Sequence, residues 1–377
     1  MNIFSFLRRR KPIPEPWAKY YTKEELNIKI PDISMYDQVK KSAHLYPEYI
    51  AYEYMGKKCL YKDLLNEINA WAKIFSKSGV KHGDIVSISL PNIPNVLVVL
   101  YALNKIGAIA NMVHPLSSEE EILFSLNSTK SKYLVMLNTF YSKIENIIDN
   151  SKVEAVIFAS ASDYMPFFTK IAYNITQIGK YKKYPKNNLF YSWKRFYKKF
   201  YTEEHIKFPK FGKDTPAVII HSGGTSGTPK NVVIQNRAFI LGALQENILM
   251  KKLHAGDCCL AIMPNFHGFG LSVLMHTPLA LGCYSILIPQ FDSKKFDIMF
   301  QKKKPSCVLG VPTLYEALMS NNNIKNLDLS NLKYIVSGGD ILPKSLEDRM
   351  NKYLKEHNSP GKITQGYGLS EALAAVC

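Results

Sequence analysis

Two stretches of this chain follow one plan, 173 positions apart. In the first, Gly83-Asp84 opens the apolar run Ile85 to Leu90, and Pro91-Asn92 leads into a helical stretch that ends near Gly107. Ala108 to Val113 then reads as a second strand. In the other, Gly256-Asp257 opens Cys258 to Met263, and Pro264-Asn265 leads into a helix ending near Gly282. Tyr284 to Ile288 follows as a strand. Proline at helix entry and glycine at helix exit are where the backbone tolerates each best. Generic strand–helix–strand grammar could give such a match by coincidence. The stronger reading is two related α/β subdomains, each a mainly parallel sheet covered by helices.

Alternation continues downstream. Ser306 to Leu309 reads as a strand and Pro312 to Ser320 as a helix. Lys333 to Val336 is strand-like, Pro343 to Glu356 helical, and Ile363 to Gln365 a last strand. Loops therefore fall at strand C-terminal ends at Gly310-Val311-Pro312, Ser337-Gly338-Gly339 and Gly366 to Glu371, where open α/β sheets collect ligands. The expected division is an N-terminal basic, amphipathic segment over 1–30, a first subdomain over 31–210 and a second over 211–377. A bridging segment lies within Lys180 to Lys213. The length allows a large core, and 46% hydrophobic with 12% aromatic residues argues against disorder.

The densest chemistry lies in Ser222-Gly223-Gly224-Thr225-Ser226-Gly227-Thr228-Pro229-Lys230, directly after the apolar run Ala217 to Ile220. Glycines let backbone N–H groups approach a ligand that a Cβ would block. Hydroxyls donate to anionic oxygens, and lysine adds a full positive charge. Such a loop between two strands suits a polyphosphate. It is not a Walker A motif, because Pro229 intervenes before Lys230 and a strand (Val232 to Ile234) follows instead of a helix.

His-Ser-Gly-Gly-Thr-Ser-Gly-Thr-Pro-Lys resembles the phosphate loop of the adenylate-forming superfamily, which includes acyl-CoA synthetases, luciferases and peptide-synthetase adenylation domains. Pro16-Trp17, Tyr36-Asp37, Gly83-Asp84, Gly310-Val311-Pro312-Thr313, Ser337-Gly338-Gly339 and Gln365 to Glu371 follow the order found in long-chain fatty acid–CoA ligases. The resemblance implies the large N-terminal domain of such enzymes, with two α/β subdomains in a layered αβαβα arrangement. It also implies ATP, Mg²⁺ and coenzyme A as co-substrates and cofactors. The implied reaction turns a medium- or long-chain fatty acid into acyl-AMP and then into a CoA thioester. An adenylation domain loading a carrier protein, or a non-catalytic nucleotide- or acyl-binding protein, is the alternative.

By the same resemblance, Ser222 to Gly227, Thr228 and Lys230 would cradle phosphates, with Thr225 and Glu371 at the metal. Gly338, Gly339, Asp340, Gln365, Gly366, Tyr367 and Gly368 would form the purine site, Tyr367 stacking on the base. Asp340 could bond the purine amino group or cap its own turn. His267 would orient the acyl carboxylate, as a catalytic residue beside Lys230 and Glu371. Phe266, His267, Gly268 and Val311 would line the acyl pocket. His221 reads as structural. The family's ribose-binding aspartate and C-terminal lid, with its lysine, have no counterpart before Cys377, so the expectation is a large domain impaired in catalysis unless a lid is supplied.

The formal charge of +17 concentrates from Lys180 to Tyr201, with eight Lys/Arg, no acid and nine aromatic residues. Two readings stand for it: peripheral attachment to an anionic membrane, or an aromatic stripe packed on the core beneath a solvated basic face. No nucleic-acid motif accompanies the charge, so nucleic acid is not an expected partner. Six cysteines without metal-ligand spacing suit free thiols in a reducing cytoplasm. Apolar residues precede Arg8-Arg9-Arg10-Lys11, the reverse of a signal peptide's order, so the expected location is cytoplasmic, with membrane association open.

Overall fold

The computed structural model describes residues 16–222, 230–292, 295–321, 323–324 and 327–375. Most of the expected phosphate loop (Gly223 to Pro229) lies outside the described residues, as do Arg8 to Lys11 and Cys377. In chain order the strands are β1 (Ile50–Tyr54), β2 (Lys57–Leu60), β3 (Ile85–Ser89), β4 (Ile109–Met112), β5 (Tyr133–Leu137), β6 (Ala155–Ala159), β7 (Phe190–Ser192) and β8 (Pro216–Ser222). They continue with β9 (Lys230–Gln235), β10 (Cys258–Ala261), β11 (Tyr284–Leu287), β12 (Cys307–Gly310), β13 (Tyr334–Ser337), β14 (Ile363–Gln365), β15 (Gly368–Leu369) and β16 (Ala374–Ala375).

Two seven-stranded sheets carry the fold, in the orders β7-β6-β5-β3-β4-β8-β9 and β14-β13-β12-β10-β11-β1-β2, and β15 pairs with β16 in a small ribbon. The large sheets match position for position. In each, every neighbouring pair is parallel except the final hairpin. The hairpins are exchanged between halves. β1–β2 lies within the expected first subdomain yet pairs with β11 of the second sheet, while β8–β9 follows residue 210 yet completes the first sheet beside β4. The expected boundary at 210 therefore does not separate the sheets. Sequence order alone does not report this, because β1 and β8 satisfy their backbone groups against strands far away in the chain.

The repeat read from sequence has a hydrogen-bonded basis. Gly83 N–H donates to the Gly107 carbonyl and Gly256 N–H to that of Gly282, each at 2.9 Å. All four glycines hold positive φ, 73° to 91°, where a side chain would strain the backbone. Each Gly-Asp pair also holds a lysine, from different places: Lys132, entering β5, meets Asp84 at 3.0 Å, and Lys333, entering β13 one strand further out, meets Asp257 at 2.6 Å. Across the centre, Asn92 Nδ2 donates to the Ala261 and Met263 carbonyls, and Asn265 Nδ2 donates to the Leu90 carbonyl and to Asn92 Oδ1. These bonds engage the Pro-Asn pairs, so the helices start later than expected, at Pro94 and Phe269. The helix Pro94–Ile106 is buried nearly all round, as a helix in a central layer must be. The π-helical stretch Phe269–His276 is equally buried from Gly270 onward, and His276 bonds Tyr101 at 3.1 Å and Gln38 at 2.8 Å.

The segment expected to bridge the halves instead supplies an edge strand and a packed helix. β7 pairs with β6, and Trp193 of the helix Trp193–Phe200 stacks on Trp71 with centroids 3.7 Å apart. Phe196 is fully buried against the same ring. Of the two readings of that stripe, core packing holds, and the basic residues Lys194, Arg195, Lys198 and Lys199 face outward. The five described cysteines are free. Among the described residues, no helix is long and apolar enough to cross a membrane.

Candidate functional site

The antiparallel hairpin β8–β9 sets Ser222 directly opposite Lys230, so the described ends of the glycine-rich loop are held side by side. Lys230 is exposed. Just below, His221 Nε2 sits 2.8 Å from Asn111 Oδ1 and 3.1 Å from Ser125 Oγ. Asn111 extends the network to Ser87 and Thr129. Burial lowers the His221 pKa, which leaves a neutral ring that anchors the strand end. Asn231 Nδ2 ties the start of β9 to Ser128 Oγ at 3.0 Å.

Three loops converge at the ends of adjacent strands β12, β13 and β14. Gly338 N–H donates to the Gly310 carbonyl at 2.9 Å, and Gly366 N–H donates to that of Ser337 at 2.8 Å. A Cβ at Gly338 would stand 3.4 Å from the Gly366 carbonyl oxygen and 3.5 Å from the Phe269 ring. Gly339 turns at φ 79°, and a Cβ there would lie 3.3 Å from Val311. The absent side chains thus let the three loops and Phe269 pack closely against one another. Tyr367 projects beside them, 57% exposed, and Gln365 is exposed on β14. Asp340 Oδ1 accepts the Ile341 N–H at 2.7 Å, so its carboxylate caps its own turn.

Glu371 occupies a short 3₁₀ turn, Ser370–Ala372, between β15 and β16. The turn ends at Leu373, whose φ is 64°. Leu373's carbonyl oxygen would lie 2.5 Å from a Cβ at Gly268, so only glycine lets the two backbones pass. That contact places Phe266-His267-Gly268 against the Glu371 turn. The His267 ring packs against Phe266 at 4.6 Å between centroids, and Phe266 against His114 at 4.1 Å. Although His267 is exposed at the rim, lost hydration within this cluster, with His114 adding repulsion, lowers its pKa. Its imidazole is neutral near pH 7, able to donate from one nitrogen and accept at the other.

Beside this turn lies an open cavity of about 640 Å³. Strand β9, the helix Asn236–Leu249, Ser272, Val273 and Glu371 to Leu373 form its wall. None of Phe266, His267, Gly268 and Val311, the residues expected around an acyl pocket, lines this cavity. The sequence reading missed Leu241, Gly242, Gln245 and Glu246 there. Their spacing along one helical face was the available signal, with Gly242 so near Ser272 Oγ that a Cβ would stand at 3.3 Å. Burial pushes the Glu246 carboxyl up to about 7.

Among the described residues no group of three or more His, Cys, Asp and Glu could hold a metal. A single exposed carboxylate at a cavity edge nevertheless suits Mg²⁺, which commonly takes one or two protein carboxylates and completes its shell with phosphates and water. Glu371 fits that role, and Thr225, the second expected ligand, lies outside the described residues.

Residues 39–377 match the AMP-binding enzyme family, and the chain belongs to it. A long-chain-fatty-acid–CoA ligase of Bacillus subtilis is 28% identical over 362 residues, 95% of this chain and 64% of that protein. A 4-coumarate:CoA ligase of Petunia hybrida is 24% identical over 344 residues, 86% of this chain and 57% of its own length. Among solved structures, a long-chain-fatty-acid-CoA ligase from Archaeoglobus fulgidus superposes with a TM-score of 0.76 at 21% identity, covering 93% of this chain and 66% of that one. An anthranilate CoA ligase in complex with anthranoyl-AMP also reaches 0.76, at 18% identity, covering 93% and 62%. The fold is that of the N-terminal domain of adenylate-forming enzymes. The chain spans roughly three fifths of the length of these curated relatives.

Proposed function

We propose that this chain is the nucleotide- and acid-binding part of an acyl-CoA ligase that activates a carboxylic acid, in the first instance a fatty acid, as its acyl-AMP. The observation that carries the proposal is the placement of these elements. The hairpin β8–β9 holds the loop ends Ser222 and Lys230 side by side, and the Glu371 turn packs on Gly268 through Leu373 while lining the open cavity. Ligase relatives acting on fatty acids and on 4-coumarate support the class.

In this reading Lys230 and the hydroxyls of the loop hold the triphosphate tail, and Lys230 balances charge as pyrophosphate departs. Mg²⁺, held by Glu371 and Thr225, would add charge neutralisation on the phosphates. Gly338 and Gly339 admit the purine edge, and Tyr367 covers one face of the base. Neutral His267 donates a hydrogen bond to the acid and aims a carboxylate oxygen in line at the α-phosphorus. That oxygen forms the new bond while the bridge to pyrophosphate breaks. The acyl tail then runs into the cavity beside Leu241 and Val273. Transfer of the acyl group to the CoA thiol, with AMP leaving, is proposed for the whole protein.

The test is MgATP affinity and fatty acid-dependent pyrophosphate exchange in Lys230→Ala and Glu371→Ala, with folding checked by circular dichroism. Loss of both signals in folded variants is the expected result. Wild-type affinity and exchange in both variants would refute the proposal.

A further inference from the structure

The helix Phe167–Thr176 and the turn after it carry an apolar stripe that faces solvent. Phe167, Phe168, Ile171, Ile175 and Ile178 are 70%, 84%, 44%, 62% and 77% exposed. At 3.6 residues per turn these five side chains fall within an arc of about 100°, and the half-buried Tyr173 and Lys170 lie on the other side. No residue of this helix is buried. An amphipathic helix ordinarily turns such a stripe inward, so this one is inverted relative to the core. The contrast with the neighbouring helix Trp193–Phe200, whose aromatic stripe packs on Trp71, is direct.

Charge identifies what covers the stripe. From residue 164 to 202 the chain has nine Lys/Arg and no acid. Lys180, Lys183 and Lys186 are exposed immediately after the stripe, and Lys182 is held at 2.5 Å by Glu145. Exposed apolar side chains flanked by unopposed lysines match an interface with acyl chains below and anionic headgroups above. A protein partner would have to match both the stripe and a lysine-rich surround, whereas an anionic bilayer supplies both without specific shape.

We propose that the Phe167–Ile178 face lies on an anionic lipid surface, seating its phenylalanine and isoleucine side chains among acyl chains and its trailing lysines among headgroups. The stripe lies outside the cavity lining, so this proposal does not depend on the acid-activating reading.

The test uses the full 377-residue chain with vesicles of phosphatidylcholine, with and without phosphatidylglycerol. Cosedimentation with the anionic vesicles alone, weakening with salt, is the expected result. Phe168→Glu with Ile178→Glu should lower partitioning by about tenfold or more. Neutralising Lys180, Lys183 and Lys186 to Gln should lower it by about fivefold per charge. These side chains are exposed, so thermal melting should not change. As a second readout, Ile175→Trp should add a tryptophan emission that shifts to the blue on anionic vesicles only. Wild-type protein that ignores anionic vesicles, undiminished binding in the double glutamate variant, or an unshifted emission from Ile175→Trp would overturn the proposal. So would a concentration-dependent dimer that the double variant abolishes, which would assign the stripe to a second copy of the chain.

Discussion

The hairpins β1–β2 and β8–β9 occupy equivalent edges of the two sheets, and they differ at their tips. β1 passes to β2 through Met55 and Gly56, with φ of 49° and 87°, the two left-handed positions of a tight hairpin turn. Between Ser222 and Lys230 the other hairpin instead carries seven residues, Gly223 to Pro229. Lys57 opens β2 as Lys230 opens β9, and each faces the last residue of the preceding strand. One scaffold thus supports a minimal turn in one copy and a donor-rich loop in the other. A chain that duplicates a stable edge can elaborate one tip while the other continues to close the opposite sheet.

The largest effect that tests this contrast is functional. Lys230→Ala should lower acyl-AMP formation by about a hundredfold or more, the scale of losing one preorganised charge donor. Lys57→Ala, its topological counterpart, should leave pyrophosphate exchange unchanged. Equal losses in the two variants would erase the asymmetry.

Next comes Glu246, buried on the second-half helix and pushed up to about 7. Its folded-state pKa stands above the ordinary carboxyl value of 4.5. Between those two values the folded protein keeps a proton that the unfolded chain releases, so stability falls as pH rises through the window. Glu246→Gln should remove that slope and raise stability at pH 8 by at most about 3 kcal/mol. Denaturant melts of both proteins at pH 5 and pH 8 measure it, and parallel pH profiles would contradict the assignment.

The central amides should rank third. Asn92→Ala removes two donated and two accepted hydrogen bonds at the junction of the halves, with an expected cost of about 2 kcal/mol. Chemical denaturation should register it as a lower midpoint at unchanged slope. A second transition appearing instead would mean that the halves unfold separately. Smallest are the paired salt bridges. Asp84→Asn should cost less than about 1 kcal/mol. Asp257→Asn should cost somewhat more, because its carboxylate accepts from Ser306 Oγ in addition to the loop N–H bond that both aspartates accept, from His254 here and from Lys81 at Asp84. The reverse order would show that the extra bonds of Asp257 do not set its cost.

Much of this was legible in the residues. The strand from Cys307 to Gly310, the helix Pro312–Met319, and β13, β14 and the helix Lys344–Glu356 fall within a residue or two of the sequence expectation. Apolar runs bounded by glycine and proline carry that information locally. The inward turn of Trp193 and Phe196 is one of two readings the residues leave open, since periodicity identifies an apolar face but not what it meets. Phe167 to Ile178 makes the same point with the opposite outcome.

Local order, the 173-residue repeat and the chemistry of the Ser222–Lys230 loop were determined by the sequence itself, because strand and helix periods, turn residues and donor types are properties of neighbouring positions. Tertiary structure alone decided the exchange of hairpins, the meeting of Gly268 with the Glu371 turn, and the cavity against the helix Asn236–Leu249. Each of these depends on which distant surfaces satisfy one another's backbone bonds and exclude water together, and no window along the chain contains both partners.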